Sequence, residues 1–133
     1  MGQLPTGYTD LGSGLVTTDD RVVVSFEARE PTGHVLEVWL READGTWVRS
    51  LHELTTAGDA LTATGSLVVL AATGYDGGAE SWPRLFVSTD GGATWDPDLS
   101  WSGPRGGCAR DLATDGGRLV LLGCGAGAPT LWY

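Results

Sequence analysis

Lysine, isoleucine and asparagine are all missing from this chain of 133 residues, and one cause covers the three: their codons are AT-rich, as a GC-rich genome avoids. Without lysine, eight arginines stand against 17 acidic residues, a net charge of −9. Nucleic-acid backbones and anionic membranes both need a positive patch, so neither is expected as a partner. No run approaches the roughly 18 apolar residues of a membrane-spanning helix. Met1-Gly2-Gln3-Leu4-Pro5 has neither the basic start nor the apolar stretch of a signal peptide. The two histidines, His34 and His52, stand alone, without the Cys, His or carboxylate spacing that builds a zinc site, so no metal is expected. No serine sits in a G-x-S-x-G context, which excludes a nucleophile elbow.

What is abundant is glycine, with 21 residues, and tryptophan, with six against three tyrosines and two phenylalanines. One domain is all that this length supports, and the scarcity of helical periodicity makes it an all-β one. Three segments repeat one order of elements: LVTTDDRVVVSF to VRSLHEL, LTATGSLVVLAA to DPDLSW, and CARDLATDGGRLVLLG to PTLWY. Val22, Val68 and Leu119 mark their second strands at intervals of about 50 residues, in the range of repeat architectures. Each repeat reads as strand, tight turn, strand, loop, strand, Asp-Gly turn, strand: four antiparallel strands.

Residues 88 to 95, STDGGATW, combine turn chemistry with an indole that must bury itself. The stretch resembles the Asp-box, Ser/Thr-x-Asp-x-Gly-x-Thr-Trp, of the sialidase-like, BNR-repeat β-propellers, through Ser88, Asp90, Gly92, Thr94 and Trp95. Asp44-Gly45-Thr46-Trp47 is a shortened copy. The resemblance implies a structural turn joining the third and fourth strands of a blade, its Trp in the blade core and its position away from the ligand face. The expected architecture is a three-blade propeller unit: blade 1 over 14–54, blade 2 over 59–101, and blade 3 over 107–133 lacking its outer strand. Residues 1–13 are expected to supply an outer strand to a neighbouring blade.

Three blades do not close a ring, since propellers have about four to eight. A homodimer of six blades, with residues 3–8 of each copy completing the other's third blade, is one expectation; a fragment of a longer propeller is the other. Function divides in the same way. One reading is a noncatalytic module that binds a carbohydrate, or another small polar or protein ligand, at the axial channel. The alternative is a glycoside hydrolase, or a piece of one, using Asp76, Glu80 and Asp111 as paired carboxylates. Of the three arginines that sialidase chemistry implies, Arg110 alone is in place, and the N-terminal Arg-Ile-Pro motif is absent.

The ligand face is expected on loops 9–14, 27–34, 55–60, 73–83, 102–110 and 124–129, which carry Arg29, Glu30, His34, Tyr75, Asp76, Glu80, Trp82, Arg105 and Arg110. Of these, Arg29, Tyr75, Asp76, Glu80, Trp82, Arg105 and Arg110 are the ligand-binding candidates, because aromatic rings beside charged groups suit a sugar. Cys108 and Cys124 lie symmetrically about Gly116, so a hairpin centred there would pair them. A disulfide implies an extracytoplasmic origin; two buried thiols are the other reading. The glycines of LVLLGCGAG resemble a nucleotide-binding loop, but too few residues follow for its helix, and no cofactor is expected.

Overall fold

The computed structural model describes residues 14–18, 21–30, 33–76, 80–114, 119–125 and 128–132. The expected closing strand in 1–13 and the turn at Asp115-Gly116-Gly117 lie outside the described residues.

Among the described residues the chain is all-β with no helix, and eleven strands form three antiparallel meanders in chain order. The first sheet contains β1 (Gly14–Thr17), β2 (Val22–Glu30), β3 (Gly33–Arg41) and β4 (Trp47–Leu54). The second contains β5 (Thr56–Thr64), β6 (Leu67–Tyr75), β7 (Ser81–Ser88) and β8 (Trp101–Ser102). The third has three strands, β9 (Gly107–Thr114), β10 (Leu119–Gly125) and β11 (Ala128–Trp132), with β11 and β9 at its edges.

The second sheet begins at Thr56 rather than at residue 59. A single residue, Thr55, turns the chain from β4 into β5 by adopting φ +50°, and its carbonyl accepts a hydrogen bond from the Tyr75 amide at 2.8 Å. At the other end of this sheet β8 has only two residues, so Trp95 belongs to the loop before it and does not open the strand. The Asp96 amide bonds the Val87 carbonyl at 2.8 Å instead, which satisfies the β7 edge without a ladder.

β6 explains how the sheets stack. Its run LVVLAATGY is apolar at nearly every position, the pattern of a strand covered on both faces. Val68, Leu70 and Ala72 pack toward Val23, Leu36, Val38 and Leu40 of the first sheet. Val69 and Ala71, one residue out of phase, pack with Leu85 and Val87 toward Ala109 and Leu121 of the third. Alternation of side chains thus makes one strand serve two cores. The first strands of the meanders lie beside one another, β1 against β5 and β5 against β9.

Each sheet carries one β-bulge, where an extra residue re-aims a side chain. In β4 it is Ser50, between the pairs Val38–Leu51 and Trp39–Arg49. In β5 it is Asp59 and in β9 it is Arg110, at matching places in the two strands. The β9 bulge shifts the register by one residue and brings Cys108 opposite Cys124, with Cα atoms 5.0 Å apart and the sulfurs bonded.

Leu70, fully buried, is expected to lose about 2–5 kcal/mol of stability as Leu70→Ala, whereas Leu99→Ala at a half-exposed site should change it by less than about 0.5 kcal/mol; urea denaturation measures both. Replacing both cysteines by serine should cost about 3 kcal/mol through the loop that the bond closes.

Candidate functional site

The antiparallel connections gather at two ends of the stacked sheets, and the ends differ in chemistry. At one end lie the turn 42–46, the turn 65–66 and the loop 89–100. Here Ser88, fully buried, accepts the Gly92 amide at 2.9 Å and donates to the Asp90 carboxylate at 2.8 Å. Asp90 also accepts the Thr94 amide at 2.9 Å and the Thr94 hydroxyl. Gly91 and Gly92, at φ +75° and +92°, supply the left-handed backbone that lets these groups converge. Trp95 then turns inward, packs on the core between the first two sheets and donates its indole N–H to Ser50 at 3.1 Å. The Ser50 bulge is what presents that hydroxyl. Arg21 fastens the loop to the first sheet, bonding the Asp90 carbonyl at 2.8 Å and Glu42 at 3.1 Å. The shortened copy repeats one element, the Thr46 amide bonding Asp44 at 2.8 Å.

Partial burial of Asp90 works to raise its pKa. The bonds from Thr94 and Ser88 outweigh it and hold the carboxylate at about 2, against an ordinary value of 3.8. All these groups bond one another, so this end is a self-satisfied turn with a structural role.

At the opposite end meet the ends of β2 and β3, the turn at Thr55, the ends of β6 and β7 and the loop 103–106. The strands reach further into the expected loops than the sequence suggests, because their backbones continue to pair: Arg29 with His34, and Tyr75 with Ser81. Four of the ligand-binding candidates come together here. Arg105 bonds Asp76 at 2.8 Å and Glu80 at 3.1 Å through one nitrogen, and its guanidinium lies 5.1 Å from the centre of the Trp82 ring. Glu80, then Asp76, raise the pKa of Arg105 above its ordinary value. Arg105 is 61% exposed, so these ion pairs order a surface group more than they stabilise the fold. Behind them the Ser81 hydroxyl donates to the Gly107 carbonyl at 2.8 Å, tying β7 to β9.

Trp82 lies flat because its partner across the ladder is Gly74: a Cβ at that position would stand 2.6 Å from the indole. Gly74 is therefore part of the site, and the sequence signal for it was an isolated glycine inside a strand. Tyr75, the next residue, stacks with His34 at 5.7 Å between ring centres. The His34 ring in turn meets the Glu27 carboxylate, a side chain only 8% exposed. Glu27 joins the cluster from a strand position that sequence reasoning passed over.

Three candidates stand apart from the clamp. Of Arg29 the backbone is described, opposite His34, and its side chain lies outside the described residues. Arg110 is the exposed bulge residue of β9. Asp111 is exposed and accepts the Leu112 amide at 2.8 Å. Among the described residues no group of three or more His, Cys, Asp or Glu side chains is placed to hold a metal ion. No protein-family model, curated protein or solved structure matches this chain.

Since Asp90 is depressed in the folded state, its contribution is complete above pH 3.8 and disappears as pH falls through about 2. Asp90→Ala should therefore reduce stability by about 1 kcal/mol at pH 7, screened by its exposure, and the difference from the parent chain should shrink below pH 3 in acid denaturation monitored by circular dichroism. Gly74→Ala should displace the Trp82 indole signal in NMR spectra and leave that of Trp95 in place.

Proposed function

We propose that the chain is a noncatalytic three-blade unit of an Asp-box β-propeller, which forms a six-blade ring with a second copy and binds a small polar ligand, a carbohydrate by preference, at its loop end. The observation that carries this reading is the side-by-side placement of β1, β5 and β9, the first strands of three successive meanders. In a propeller those strands line the axis. The hydrogen-bonded box at the far end, with its inward Trp95, supports the same arrangement.

What supports association of two copies is the surface that the third sheet leaves uncovered among the described residues. β11 is an edge strand, and the outward face of β10 presents Val120 and Leu122, the latter 37% exposed. Apolar sheet faces and open edges favour pairing. In such a ring the bulge of β9 would turn Arg110 toward the axis. The Cys108–Cys124 bond supports an extracytoplasmic setting, where disulfides persist.

The ligand preference rests on Trp82, Tyr75 and the Arg105 clamp. A half-buried indole offers a stacking face, while the guanidinium supplies donors and the two carboxylates that hold it supply acceptors. The alternative, a glycoside hydrolase, draws on the same two carboxylates, which share one arginine nitrogen. Hydrolysis requires one of a carboxyl pair to stay protonated in an apolar setting, and here both are bonded to a cation and open to solvent.

Light scattering on the purified chain should give twice 13.9 kDa. A mass of 13.9 kDa at micromolar concentration would rule out the two-copy ring. With a glycoside panel, Trp82→Ala should weaken binding at least about tenfold. Turnover of any member, lost in Glu80→Gln, would favour the hydrolase.

A further inference from the structure

A second opening lies on the outer edge of the stack, where the first and second sheets diverge. It encloses about 320 Å³ between Glu53 of β4, Arg84 and Phe86 of β7, and the two indoles Trp95 and Trp101. None of these residues belongs to the loop-end clamp. We infer that this groove is a separate binding site for a neutral sugar ring.

Three features define the occupant. The volume is at the small end of ligand pockets and matches a single pyranose with bound water better than an oligomer or a folded partner. Both indoles are half-buried, and Trp95 is held in orientation by its bond to Ser50, so an aromatic face is preformed. Sugars stack their C–H faces on such rings.

The polar wall decides the charge. Arg84 donates to Thr56 at 3.0 Å and lies 3.3 Å from a Glu53 oxygen, while its guanidinium rests 4.6 Å from the centre of the Phe86 ring. Three contacts fix that group in place. The pair is neutral as a whole, with donors and acceptors adjacent, as vicinal hydroxyls require. An anionic ligand would have to displace Glu53 and approach a chain of net charge −9; a cationic one would have to displace Arg84. A neutral polyol displaces neither.

Closure of a ring is not needed for this site, so it can be tested apart from the assembly. The intact chain, labelled with ¹⁵N, would be titrated with methyl β-glucopyranoside, methyl β-galactopyranoside and N-acetylglucosamine while the indole N–H signals are followed. At least one sugar should shift Trp95 and Trp101 saturably, with a Kd of about 1–10 mM. Affinity should fall at least about tenfold in Glu53→Gln, and likewise in Ser102→Trp, where an exposed lining residue is enlarged to fill the groove. Unperturbed signals from the remaining indoles would establish that both variants are folded. Arg105→Ala should leave the two shifts unchanged.

Three results would overturn the inference: no shift of either indole with any of the sugars up to about 100 mM, shifts that survive both groove variants, or shifts abolished by Arg105→Ala alone. The last would assign sugar binding to the loop end and leave the proposed function standing.

Discussion

The structure depends on the burial of β6 from both sides. A strand in which successive residues face opposite cores cannot be satisfied by one neighbouring sheet, because half of its side chains would remain in water. The second meander therefore requires the first and the third, and each of those covers one of its faces through it. Stability in this arrangement belongs to the stack. It also explains why the outer elements are so varied: β8 can shrink to two residues and β4 can alternate, since neither carries a double burden.

Much of this was legible in the sequence because it is written in local patterns. The all-β class, the order of strands within each meander and the self-bonded turn at residues 88 to 95 follow from glycine and aspartate positions and from apolar runs of strand length. Three features were not legible. A one-residue connection at Thr55 leaves no glycine or proline to mark it. Bulges at Ser50, Asp59 and Arg110 depend on cross-strand register, which no single strand encodes. The length of β8 is set by the way the Asp96 amide caps the Val87 carbonyl, a backbone contact without a sequence signature.

The site shows the same division. Trp82, Asp76, Glu80 and Arg105 could be selected by type and by loop position, and the structure brings them within bonding or stacking distance. Gly74 and Glu27 fall within the expected loops 73–83 and 27–34 but were not singled out, because each acts through a partner on a neighbouring strand. Gly74 makes room for an indole, and Glu27 meets a histidine ring from under the surface. The groove at Arg84 was invisible for a related reason. Its walls come from β4 and β7, strands of different sheets, whose approach is fixed by the stacking and by no local motif.

The bulge at Arg110 has a consequence for how the third meander is made. In the register of the β9–β10 pairing nearest the turn, Cys124 would stand opposite Ala109; only after Arg110 is looped out does it face Cys108. A hairpin that zips without the bulge places the two sulfurs on opposite faces and cannot be oxidised. Bond formation is thus a check on alignment: oxidation traps the correctly offset hairpin and leaves slipped ones free to reopen.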